Sequence, residues 1–138
     1  MKSAFFIIAL ALSTSAHALS VGDTSTYAVT VGGQVHEGIL TITAINGDTY
    51  TAQSSTDGQV NPTPSTGSVA QMNQMAALVP NCALYGGKPE AVATAAGSIS
   101  TCHITSSDSE IYVGDVPFAI VRMTKPGQDL LLKSFVRH

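Results

Sequence analysis

Two short turn signals, Gly32-Gly33 and Asn46-Gly47, cut the stretch between residues 24 and 54 into three segments. Both dipeptides tolerate the positive φ angles that two-residue hairpin loops demand, so the segments they join are constrained to run antiparallel. Residues 24–31 place Tyr27, Val29 and Val31 on one face, and residues 34–45 place Leu40, Ile42 and Ala44 on one face. A period of two is that of a half-buried strand. With residues 49–54 following the second turn, this part of the chain is predicted to be a three-stranded meander.

The middle of the chain reads differently. Residues 57–67 carry Gly58, Pro62, Pro64 and Gly67 among polar residues and are expected to form a loop. In residues 68–79, Met72, Met75, Ala76 and Val79 recur at three-and-four spacing. Ser68 stands at the N-cap position and Pro80 closes the segment, which predicts one short helix. A methionine stripe of this kind serves either as the core-facing side of the helix or as a pliable binding surface.

From Cys82 onward strands return, at residues 90–96, 98–104, 110–113, 116–123 and 129–136, separated by Gly-, Pro- and Ser-rich turns. Pro117 cannot donate a ladder hydrogen bond, which places it at a sheet edge or at the first residue of its strand. The fold class expected is mainly β. Seven to eight antiparallel strands would form a strongly curved sheet or incomplete barrel, with one short helix across its mouth.

The N-terminus carries an address. Lys2 is a positive n-region, residues 4–12 are uncharged and apolar, and Ala16-His17-Ala18 is a small-residue cleavage pattern. The apolar run is about half of the roughly 20 residues needed to span a bilayer, so a signal peptide at residues 1–18 is expected rather than an anchor. Residues 19–138 would then be a single exported domain, periplasmic or secreted, with no membrane insertion after processing. Without Lys2, nine acidic residues face five scattered basic ones, Lys88, Arg122, Lys125, Lys133 and Arg137. No basic footprint for nucleic acid can be built from these.

Export also bears on cysteine. Cys82 and Cys102 are the only two in the chain, and an oxidising compartment favours their pairing. The closed loop of about 20 residues would stabilise the domain by roughly 3 kcal/mol in the chain-entropy picture. Neither a C-x-x-C redox spacing nor a zinc-ligand spacing is present, so the pair is read as a staple.

Three runs carry a resemblance: Cys82-Ala-Leu-Tyr-Gly-Gly-Lys-Pro-Glu90, Ala96-Gly97-Ser98-Ile99-Ser100-Thr101-Cys102, and Ile111-Tyr-Val-Gly-Asp-Val-Pro-Phe-Ala-Ile-Val-Arg122. Together they resemble a block found in uncharacterised bacterial secreted β-proteins, in which a Gly-x-Val-Pro-Phe-Gly segment introduces a strand. More distantly they are similar to half-barrel periplasmic proteins related to lipoprotein carriers. Ala119 stands where the pattern has Gly. The resemblance implies a fold and a compartment, and no catalytic residue.

Candidate chemistry is sparse. Gly67-Ser68 and Gly97-Ser98 lack the context of a nucleophile elbow. His36 with Glu37, and His103 with Cys102, are sequence neighbours that point to opposite faces of a strand. Neither pair, nor Asp108, Glu110 or Asp115, assembles a catalytic or metal cluster, so no enzyme, metal or cofactor is expected. The functional expectation is a binding module. Met72, Met75, Leu40, Ile42, Phe118 and Ile120 would contact a hydrophobic small molecule or protein partner in the concave face of the sheet. The alternative is a structural or interaction protein of the envelope or secretome with a filled core and no pocket.

Overall fold

The computed structural model describes residues 18–138. The expected signal peptide, apart from its last residue, lies outside them. The described chain is an open antiparallel sheet with two short helical segments. β1 (Thr24–Val31), β2 (Gln34–Asn46) and β3 (Thr49–Thr56) form the expected meander. Gly32, Gly33 and Gly47 have φ of 58°, 84° and 60°, the left-handed values their turns require.

Residues 57–67 are not a plain loop. Asp57-Gly58, with φ of 51° and 85°, turns the chain into β4 (Gln59–Val60), and Ser65–Ser68 forms β5. Both lie along the outer side of β3, β4 opposite Ser55 and Thr56 and β5 opposite Thr49 to Ala52. Asp-Gly is itself a hairpin signal, and the nearby prolines masked it. These two short strands raise the count among the described residues to ten, against the seven to eight expected.

β5 runs directly into α1 (Val69–Ala76), which ends three residues earlier than its apolar spacing suggests. A 3₁₀ segment, Val79–Tyr85, begins beside Pro80 and ends on Gly86 at φ 78°. It leads into β6 (Lys88–Thr94), β7 (Gly97–Thr105), β8 (Glu110–Gly114), β9 (Ile120–Lys125) and β10 (Gln128–Val136). The spatial order is β4-β3-β2-β1-β10-β9-β8-β7-β6, with β5 beside β3. The last strand thus pairs with the first, and β6 ends the sheet. Register shifts at Thr26/Tyr27, Ile42/Ala44 and Tyr112/Val113 mark irregularities of the kind that let a sheet bend.

The expectation of a strand from Val116 is corrected. Residues 116–119 form a buried turn in which the Ala119 N–H donates to the Val116 carbonyl at 2.8 Å, and β9 begins only at Ile120. Pro117 supplies the fixed φ of the second position of that turn. Phe118 and Ala119 follow at φ 69° and 60°, a left-handed backbone that Ala119 adopts at a steric cost.

Buried apolar residues form two clusters. Tyr27, Val92, Val116, Val121 and Leu132 make the first. Ile42, Ala52 and Phe118 make the second, with Leu19, Ile45, Tyr50 and Met72 packed against it. Leu40 touches both. The Tyr27 hydroxyl donates to the Ile120 carbonyl at 2.8 Å, and burial holds that phenol protonated far above its ordinary range. Ser25, fully buried, donates to the Pro117 carbonyl at 2.7 Å. No helix of the described residues is long and apolar enough to cross a membrane.

Candidate binding surface

The helical arm formed by α1 and the 3₁₀ segment is anchored at both ends. At the start of α1, Ser68 Oγ accepts the Gln71 N–H and donates to Asp48 Oδ2 at 2.6 Å, while Asp48 Oδ1 accepts the Ala70 N–H at 2.8 Å. These donors hold the Asp48 carboxyl below its ordinary value, the Ser68 hydroxyl contributing most and the Ala70 N–H next. The β2–β3 turn therefore supplies half of the helix cap. At the far end, Cys82 is bonded to Cys102 of β7 with Cα atoms 5.3 Å apart. Both cysteines are buried, and a Cβ on Gly87 would run into the two sulfurs. Glycine at 87 is what lets the chain pass the bridge.

On its inner side the arm closes over the second cluster through Met72, and Ala76 is buried. On its outer side it leaves an open groove of about 470 Å³ lined by Gln71, Gln74, Met75, Ala77, Leu78, Asn81 and Tyr85. Among the described residues, no charged side chain lines it. Next to Tyr85, which is 65% exposed, Leu84 is 82% exposed. Leu84 is the most exposed large apolar side chain among the described residues, and it stands on a segment held by a buried disulfide.

The residues expected to contact a ligand are divided by the structure. Met72, Leu40, Ile42 and Phe118 meet in the second cluster, where Ile42 has no exposed surface and Phe118 is 8% exposed. Met72 packs against these residues from α1, beside Leu19, Ile45 and Tyr50. Ile120, half-buried at the start of β9, presents its carbonyl to Tyr27. Met75 lies apart, in the outer groove. Sequence reasoning misses Leu78, Leu84 and Tyr85, because Tyr85 reads as part of the Gly86-Gly87 turn. An apolar pair directly behind a disulfide-forming cysteine is the available clue.

Two histidines lie against carboxylates along the strands. His36 Nδ1 lies 2.7 Å from Asp57 Oδ2. His103 reaches Glu110 at 2.7 Å and Glu90 at 3.4 Å and stacks on Tyr112 with ring centres 4.1 Å apart. His103 thereby links β6, β7 and β8. Among the described residues, no three His, Cys, Asp or Glu side chains converge as metal ligands would. Two shallow depressions, of about 340 and 390 Å³, share Thr124 and Lys125 beside the β9–β10 hairpin.

No protein-family model matches the chain, and no curated protein matches it in sequence. In three dimensions it is similar to a Bacteroides fragilis protein inferred to be exported and described as having a YmcC-like fold. The TM-score is 0.54 at 10% identity, over 89% of this chain and 99% of that one. At such identity the likeness is one of fold. It agrees with the mainly antiparallel, unclosed sheet expected from sequence, and it carries no lipoprotein-carrier specificity.

Proposed function

We propose that this chain is an exported β-domain that works by binding, not by catalysis, and that it holds an uncharged, apolar polypeptide segment of another protein on the outer face of its helical arm. The observation that carries this reading is the display of Leu84 and Tyr85 on a disulfide-pinned segment beside the groove of Met75 and Leu78. The groove chemistry favours a polypeptide over an acyl chain. Gln71, Gln74 and Asn81 offer amide donors and acceptors suited to a peptide backbone, whereas an acyl chain gains most from an enclosed apolar cavity. Methionine and tyrosine supply adaptable and rigid apolar contact respectively. Export is supported by the pattern of residues 1–18, by the disulfide, and by the assignment of the Bacteroides protein of similar fold.

The test is a titration of isotope-labelled protein, followed by amide chemical shifts, with a blocked uncharged pentapeptide rich in Leu and Phe and, separately, with lauric acid. The expected result is peptide-induced shifts confined to residues 71–85, lost in Leu84→Ser. Peptide without effect there, or lauric acid shifting Leu40, Ile42 and Phe118, would overturn this reading, the second outcome in favour of a ligand within the concave face.

A further inference from the structure

The two edges of the sheet are guarded unequally. On the β3 side, the edge is capped by the two-residue β4 and the four-residue β5, joined through Pro62 and Pro64. Short strands and prolines are the usual means by which an edge refuses further pairing. On the other side, β6 pairs only with β7, and among the described residues no backbone hydrogen bond outside that ladder involves residues 88–94.

The register of β6 shows which of its groups face outward. Thr94 is opposite Gly97 across the two-residue turn 95–96. That closing pair bonds to itself, so Val92, Glu90 and Lys88 also direct their backbone groups to β7, and Ala93, Ala91 and Pro89 direct theirs away. Thr101 Oγ1 donating to the Glu90 carbonyl at 2.6 Å agrees with this parity. Pro89 has no N–H, and Lys88 is a common edge guard. The guard stops there. Ala91 and Ala93 are exposed, small and flat, and present two outward N–H and two outward C=O groups.

We infer that β6 is the interface of a two-fold dimer, in which a second copy of this chain adds its own β6 antiparallel. Pairing about Val92 sets Ala91 opposite the partner's Ala93 and Ala93 opposite the partner's Ala91. All four outward groups of each strand are then satisfied, and Pro89 lies outside the paired segment. Glu90 falls opposite the partner's Thr94, so no like charges are opposed across the new ladder. Because the opposite edge is blocked, the described residues leave one open edge per molecule, and the assembly closes at two copies instead of growing into a fibre. The self-matching sequence Ala-Val-Ala is what favours a second copy over an unrelated strand.

Sedimentation equilibrium of the disulfide-bonded protein across a concentration series tests this. The wild type is expected to reach twice the monomer mass. Ala91→Pro and Ala93→Pro, which each remove one outward N–H without touching the β7 ladder, are expected to remain monomeric with wild-type far-ultraviolet circular dichroism. A wild type that stays monomeric throughout, or a dimer that survives both substitutions, overturns the inference. Should a proline variant fail to fold, amide exchange in the wild type decides. The Ala91 and Ala93 amides are expected to slow as concentration rises, and concentration-independent exchange at both overturns the dimer.

Discussion

The two apolar clusters of this domain are built by different rules. The first, around Tyr27, Leu132 and Val121, rests on strands except for Val116, the opening residue of the buried turn, with Leu132 directly opposite Tyr27 and Leu130 opposite Val29 in the β1–β10 pair. The second gathers Ile42 and Ala52 from a strand pair, Phe118 from a left-handed turn, and Met72 from α1. Strand pairs bury side chains by alternation, which any period-two sequence provides. A turn that buries its tip must instead be held by partners far away in sequence. Here Ser25, 92 residues from Pro117, does so.

The largest expected effect breaks the first cluster. Leu132→Ala should lower unfolding stability by about 2–5 kcal/mol, measured by urea denaturation, because Leu132 is fully buried among neighbours fixed by the sheet. A loss near zero would mean that the β1–β10 pair is not the centre of the fold. Ser25→Ala severs the tie between the strand-built region and the turn. It leaves the Pro117 carbonyl without its buried donor and should cost about 1–3 kcal/mol, with faster amide exchange at Ala119.

A matched pair of substitutions sharpens the contrast. Ala52 and Ala119 are both buried, at 1% and 0% exposure, but only Ala119 has positive φ. Ala52→Gly should lose about 1.5 kcal/mol, through backbone freedom and one buried methyl. At Ala119 the release of left-handed strain offsets those losses, so Ala119→Gly should be near neutral in the same assay. Equal losses would show that the turn is not strained.

The smallest effect concerns the helical arm that completes the second cluster. The Asp48 carboxyl titrates below its ordinary value of 3.8 because its ionised form accepts from Ser68 and Ala70. A depressed carboxyl stabilises the folded state above its unfolded value and loses that contribution as pH falls through the folded one. Acidification below the usual aspartate range should therefore lower the exchange protection of the Ala70 and Gln71 amides, measured relative to their intrinsic rates at each pH. Asp48→Asn should remove most of that pH dependence, while exchange in β1 and β10 should not follow it.

Much of this architecture is legible in the sequence. Gly32-Gly33 and Asn46-Gly47 announce the meander, Ser68 announces the helix start, and Cys82 and Cys102 announce the bridge, because each acts through local backbone geometry or through the chemistry of its residue type. The β4 and β5 strands are obscured, since Pro62 and Pro64 speak for a loop, while the strands exist only because β3 offers an edge to lie on. The candidate surface is half legible. Met75 stands out by its spacing, but Met72, three residues away, closes over Phe118, and Leu84 and Tyr85 are hidden in what reads as a turn.

Taken alone, the sequence determined a mainly antiparallel sheet, its first three strands and the place of its helix, because alternation and turn chemistry act over a few residues. Only the tertiary structure decided that the last strand closes onto the first and that Phe118 turns inward. It also decided that the helical arm shows one face to the core and the other to solvent, and that β6 is left with an open edge. Each of these depends on pairing between segments distant in the chain, and no local pattern encodes which partner a strand or a buried side chain will find.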